Sequence, residues 1–564
     1  MKFTEFGYKR PDFDTYKMDF EKLLADFEVA ETAEKQNAIM KELNDLRRTV
    51  ETMGTLCHIR YDVNTEDKFY EAEQEYFDQT QPLFQELVVK YYKAILESKF
   101  RKELEGKWGK HLFNIAEMEL KTFKPEIIED LQEENKLCSD HTKLIASAKI
   151  MFDGEERNLS QMRAYFQNKD RTIRKAAYEA YAGFFEAHEK ELDELYDNLV
   201  KVRTRMARKL GYETFTELGY IRLGRSDYNA EMVKGYRDQV YESVVPIATK
   251  LLERQAARLG YDKLRYYDEP LKFTSGNADP KGTPEEIMAN GLRMYDELSK
   301  ETADFFTFMT EHGLFDVLAR KGKMGGGYCT FLPDYKAPFI FANFNGTAGD
   351  VEVLTHEAGH AFQVFSSRNY EAPEYVWPTL EACEIHSMSM EFFTYPWMQL
   401  FFEDEMLKHR FSHLSEAILF LPYGVSVDEY QHFVYENPEA TPDERKAKWR
   451  EIEKKYLPLR DYEDNKFYEK GTMWFRQSHI FEVPFYYIDY TLAQVCAFQF
   501  YNKMNEDREQ AWKDYQDLCN AGGSKPFLQL LEVAKIKNPF VDGTVAESVA
   551  RIEKSIEAID DSKW

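Results

Sequence analysis

Thr355-His356-Glu357-Ala358-Gly359-His360-Ala361-Phe362 sets two histidines four residues apart, with a glutamate directly after the first. On an α-helix, positions i and i+4 lie one turn apart on one face, so both imidazoles reach a single ion at about 2.0–2.1 Å from nitrogen. Glu357 falls on the neighbouring side of that face, where it can hold and deprotonate a water without being a ligand itself. The stretch reads as the metal helix of a zinc hydrolase. With only 12 histidines in 564 residues, a chance His-Glu-x-x-His has a probability of roughly 0.03, so the motif favours a metal site without settling it. Local context adds weight. Asn345-Gly346 forms a turn, Thr347-x-x-Asp350 resembles a capping box, and no proline interrupts Val351 to Phe365.

The rest of the composition describes a soluble globular chain. Hydrophobic residues make up 43%, aromatics 15% and charged residues 31%, enough to fill a core and solvate a surface. A prior of about 150 residues per domain suggests three or four units. The net charge of -26 argues against a nucleic-acid or anionic-membrane partner, which would require a basic patch. Six scattered cysteines without a Cys-x-x-Cys pair suit free thiols in a reducing cytoplasm. Met1 to Phe6 lacks a secretory apolar run and no 18-residue apolar stretch follows, so the expected location is cytoplasmic.

Working outward, helical periodicity dominates from about Asp12 to Leu210, with Phe20, Leu23, Leu24 and Phe27 as one example of the i, i+3, i+4, i+7 pattern. Helix continues from Tyr212 to Leu259 and again from Glu285 to about Phe315. Between them the 262–284 loop holds the densest Gly and Pro signal. The expected regions are 1–210, 211–321, 322–510 and 511–564. The one clear β element precedes the motif: Tyr328 to Leu332, a turn at Pro333 to Lys336, then Phe339 to Phe344. An exposed edge there, with Ala342 as a candidate contact, could pair with an extended peptide backbone, or the hairpin could merely position the helix.

After the motif, a helix beginning at Thr379-Leu380-Glu381 carries Glu381, Glu384 and Glu391 with Met388 on one face. Three carboxylates in an apolar neighbourhood are costly without a cation. Glu384, 24 residues beyond His360, can return opposite the two imidazoles. His409, His413 and His432 show no partner pattern and receive no role. In His479 to Tyr490, Tyr486, Tyr487 and Tyr490 cluster near Pro484, where an aromatic stripe is more often core than site.

Together, His356-Glu357-Ala358-Gly359-His360, Glu384-Ile385-His386-Ser387-Met388-Ser389-Met390-Glu391 and the His479 to Tyr490 segment resemble the thimet oligopeptidase and oligoendopeptidase F family of zinc metallopeptidases, which is Pz-peptidase-like. The resemblance covers about Gly322 to Phe500. It implies a mostly α, elongated, two-lobed molecule with a deep central channel and a small sheet beside the zinc helix. It also implies one zinc per chain, held by His356, His360 and Glu384, with Glu357 as general base. His479 and Tyr490 match substrate-binding and transition-state-stabilising groups, and Glu352 matches a carboxylate that supports a ligand histidine. Glu381, Glu391, Tyr486 and Tyr487 remain supporting candidates. The implied activity is cleavage of internal bonds in short peptides, not folded proteins, by a monomer or small homo-oligomer. A carboxypeptidase or dipeptidyl carboxypeptidase would additionally need a basic residue to hold the substrate's free carboxylate. A non-catalytic peptide-binding protein would be free to lose Glu357.

Overall fold

In the computed structural model, which describes residues 1–564, helices account for nearly all regular structure. Their ends follow local chemistry. Asp12, Thr32 and Asp67 accept hydrogen bonds from first-turn amides of Phe13–Val29, Ala33–Val63 and Lys68–Leu96. Gly211, Gly260 and Gly313 close later helices in the left-handed conformation. The helical run expected from Asp12 to Leu210 is interrupted by a hairpin, Ile150–Phe152 against Glu155–Arg157. Its turn residues, Asp153 and Gly154, both have positive φ, which matches the twist of a tight hairpin.

The sheet has three strands, one more than the sequence pattern suggests. Phe315–Leu318, which begins where the helical pattern from Glu285 is expected to end, runs parallel to Ala337–Phe344, and Tyr328–Leu332 pairs with the other side antiparallel. Ala337–Phe344 is therefore the central strand. Ala342 is accordingly buried, and its carbonyl accepts a hydrogen bond from Lys323, so it is not on an open edge. The sheet's two edges are Phe315–Leu318 and Tyr328–Leu332, and the second is open toward the cavity described below.

Apolar side chains gather in two main cores. A smaller one joins Tyr16, Phe20, Phe84, Tyr91, Trp108 and Phe113 of the first helices to Ala372 and Tyr375. The larger takes in Phe6, Leu56 and Ile59, runs on from Phe123 to Ile556, and surrounds the sheet and the His-Glu-x-x-His helix. The buried apolar residues of 123–210 thus belong mostly to the larger core, while the helix Ile128–Ala146 also packs on Lys68–Leu96. Between the two, a cavity of about 800 Å³ is lined by His58, Asp62 and Phe77 on one side and by Thr330 of the open-edge strand on the other. It shares Thr142, Met324 and Glu482 with a cavity of about 600 Å³. That one shares Arg163, Gly326 and Gly327 with a third, of about 300 Å³. The concave surface is continuous. No helix is long and apolar enough to cross a membrane, and all six cysteines are unpaired.

Candidate metal centre and active site

The motif lies within the helix Gly349–Ser367. Its start differs from the expected capping box: Asp350 accepts from the amides of Asn345 and Gly346, both at 2.8 Å, and closes the preceding turn instead. The helix packs against Leu380–Phe393, which packs in turn against Tyr487–Glu506. Gly359 makes the first crossing possible. A Cβ there would stand 2.6 Å from both the His386 carbonyl oxygen and the Ser387 Cα, closer than two non-bonded atoms can approach. Alanine is otherwise the better helix former by about 1 kcal/mol. Gly359→Ala is therefore expected to lower stability by about 1–3 kcal/mol through overpacking, and to separate His360 from Glu384. Melting temperature and metal content of this variant check the expectation; a raised melting point with full metal content would contradict it.

Across this crossing, His356 Nε2 lies 3.1 Å and His360 Nε2 3.4 Å from Glu384 Oε2. The three donor atoms all fall within 4.8 Å of one another. Tetrahedral zinc ligands bonded at about 2.1 Å stand about 3.4 Å apart, so two imidazoles and a carboxylate at these separations fit one such ion. Glu384 is further fixed by Ser387 Oγ, which donates to Oε2 at 2.9 Å, and by Tyr486, whose hydroxyl donates to Oε1. Burial opposes its charge, but His360 and His356 hold its carboxyl well below the usual range.

Glu391 orders the first imidazole. His356 Nδ1 donates to Glu391 Oε1 at 2.6 Å and His413 Nε2 to Oε2 at 2.7 Å. Burial works against the Glu391 charge, yet the two imidazoles bring its pKa down to about 2. An ionised carboxylate only accepts, so Nδ1 of His356 carries a proton, and Nε2 is the nitrogen left to face Glu384 and to bind a metal. Tyr395 hydroxyl completes the chain with a 2.6 Å bond to His413 Nδ1. His413 was missed in the sequence, although its i, i+4 spacing from His409 was visible. Glu352 does not support a ligand histidine: its Oε1 faces His409 Nε2 at 3.3 Å, on the neighbouring long helix Met406–Glu436.

Glu381 also lies elsewhere. It is fully buried with both oxygens unpartnered, and burial, against the pull of Arg225, raises its pKa to about 7. Arg225 pairs instead with Asp489 at 2.6 Å. Glu357 stays beside His356, His360 and Glu384. It is buried, its Oε2 has no partner, and a Cβ on Gly327 would lie 3.5 Å from its Oε1. Burial raises its pKa, with His356 and His360 opposing.

His479 and Tyr490 are organised by a relay. Tyr423 hydroxyl donates to Gln477 Oε1 at 3.0 Å, so the Gln477 amide nitrogen, 2.7 Å from His479 Nδ1, is the donor there. His479 then carries its proton on Nε2, 3.2 Å from the Tyr490 oxygen. Burial lowers the His479 pKa and raises that of Tyr490, keeping the imidazole and the phenol neutral. With its oxygen accepting from His479, the Tyr490 hydroxyl is free to donate. Its ring lies 4.9 Å from that of Tyr486. The Tyr487 ring lies 5.1 Å from that of His479 and 5.4 Å from that of Tyr490, with Phe420 and Tyr423 also beside it. The chain reaches this arrangement through Phe485, whose φ of 67 is rare for a bulky residue. It is held by Gln431, which accepts from its amide at 3.2 Å, and Arg225, which donates to its carbonyl at 2.6 Å.

Comparison with known proteins shows the fold and the family. A crystal structure of PZ peptidase A with an inhibitor is 57% identical, covers 100% of both chains and superposes with a TM-score of 0.99. The oligoendopeptidase F homolog of Borreliella burgdorferi is 23% identical over 450 residues, 75% of this chain and 74% of that protein. The homolog of Mycoplasma genitalium is 22% identical over 271 residues, and the chain spans only 42% of its length. The model of the peptidase M3 N-terminal domain matches residues 3–123. That of peptidase family M3 matches residues 164–549, more than half the chain and every residue of the centre just described, so the chain belongs to peptidase family M3.

Proposed function

We propose that this protein is a zinc endopeptidase that hydrolyses internal bonds of short peptides, with His356, His360 and Glu384 as the metal ligands. The observation that carries this reading is the convergence of their three donor atoms within 4.8 Å. When bound, zinc lowers the pKa of a water and polarises the scissile carbonyl. Glu357 accepts the proton of the attacking water on its unpartnered Oε2 and delivers it to the leaving amine nitrogen. The Tyr490 hydroxyl, oriented by His479, donates to the oxyanion that develops on the carbonyl oxygen. Glu391 holds the His356 tautomer throughout.

The cavities explain why peptides are the substrates. They measure about 600 and 800 Å³, room for several residues of extended chain, whereas a folded domain of 100 residues has a radius of gyration of about 13 Å. The open edge of Tyr328–Leu332 offers main-chain groups to such a chain.

Digestion of peptides blocked at both ends, followed by mass analysis with and without a chelator, tests the reading. Internal cleavage that a chelator abolishes and added zinc restores is the expected result. Products released only from a free C-terminus, one or two residues at a time, would instead make the protein an exopeptidase.

A further inference from the structure

The cavity of about 600 Å³ that holds His479 and Tyr490 carries a charge balance opposite to that of the chain. Aromatic rings form part of its walls, with Phe166, Tyr178, Tyr181 and Phe475 among them. Its acidic and guanidinium side chains are Glu482, Arg163 and Arg476. Glu482 is already engaged, by His141 Nδ1 at 2.8 Å and Thr142 Oγ1 at 3.1 Å. Two guanidiniums therefore face this space without a carboxylate of the chain against them, in a protein of net charge -26.

That is unlike the other deeply placed arginines. Arg174 pairs with Asp268, Arg203 with Glu134, Arg225 with Asp489 and Arg237 with Asp428. Arg476 is surrounded instead by Tyr423, Tyr178 and Tyr181, with Arg460 as a further positive charge. Withdrawing a guanidinium from water without a counter-charge is costly, so an unpaired one in a cavity wall is matched to an anion that arrives with the ligand. The planar fork of arginine suits a carboxylate in particular. Arg163, exposed on the short helix Leu159–Tyr165, reaches the same space. Both arginines act on Tyr487, where they oppose the larger effect of burial on its phenol.

We propose that Arg476 and Arg163 form a carboxylate-binding subsite of the peptide cavity, occupied by the substrate's free C-terminus or by an acidic side chain. This rests on the peptidase reading and narrows its substrate class: peptides that can place a carboxylate in this space bind more tightly than neutral ones. Cleavage remains internal, because the same cavity opens onto the larger one and does not end at the arginines.

Calorimetry on zinc-loaded, full-length Glu357→Gln protein tests it, using three peptides of one sequence: a free C-terminal acid, its C-terminal amide, and the amide with one internal Asn changed to Asp. The acid, the Asp peptide or both should bind about 10–100-fold more tightly than the neutral amide, the range of a hydrogen bond to a charged group. Which of the two gains identifies the source of the carboxylate. Adding Arg476→Gln or Arg163→Gln should bring the ratio close to one. Equal affinity for all three peptides, or a preference undiminished in both arginine variants, would overturn the proposal. Should Arg476→Gln fail to fold, Arg163→Gln and the salt dependence of the ratio, which ought to fall as ionic strength rises, carry the same decision. Cleavage by the wild-type protein is scored separately. A preference without any cleavage would overturn the peptidase reading and leave this subsite standing; cleavage without a preference would do the reverse.

Discussion

Glu357→Gln protein is expected to retain its metal and lose about 10²–10⁴-fold in turnover, the usual contribution of a positioned general base. The amide has nearly the same shape as the carboxylate, so the packing around this buried side chain is preserved. Neither His356, His360 nor Glu384 depends on it for a hydrogen bond. What changes is the chemistry at Oε2, the oxygen without a partner: an amide can still hydrogen-bond a water but cannot accept its proton. Metal content and turnover measured on the same sample decide the matter. A variant with full metal and near-normal turnover would remove Glu357 as the base, while loss of metal would mean that it is needed to assemble the site.

Tyr490→Phe carries the second large effect. If the hydroxyl donates to the developing oxyanion, turnover should fall by roughly 10²–10³-fold, with the Michaelis constant little altered because the donor acts on charge that exists only in the transition state. A purely structural tyrosine would forfeit one hydrogen bond, the 3.2 Å contact with His479, at about 0.5–1.5 kcal/mol and without a change in rate. Turnover, Michaelis constant and melting temperature separate the cases. Unchanged turnover in Tyr490→Phe with a lowered melting point would return Tyr490 to the core.

What could be read from the sequence was whatever depends on spacing along one helix or strand. His356 and His360 share a face because they are four residues apart, and the β-rich run from Phe339 to Phe344 marks a strand before any partner is known. What could not be read depends on which element lies opposite. Glu381 and Glu384 differ by about 60° around their helix. That helix is buried between two others, from Glu381 through Met390, so the offset is enough to turn Glu381 to the Arg225 and Asp489 side. Glu352 and Glu391 were both plausible supports for His356, and only the register between helices places Glu391 against its Nδ1.

The sheet shows the same limit. Phe315–Leu318 is four residues long and pairs parallel to a strand more than twenty residues away. Such pairing leaves no local signal, yet it moves Ala342 from an open edge to the centre. His413 received no role because its partner, Glu391, lies on another helix. The hairpin at Asp153-Gly154 did carry a signal, a dipeptide favoured in tight turns, which the surrounding helical periodicity masked.

His356, His360 and Glu384 are proposed to hold one zinc ion, and crystals grown with zinc and measured on both sides of its absorption edge would locate it. A single anomalous peak per chain is expected, within about 2.0–2.2 Å of His356 Nε2, His360 Nε2 and a Glu384 oxygen. A peak bonded to Glu381 or Glu391 in place of Glu384, or none between the two histidines, would contradict the proposal.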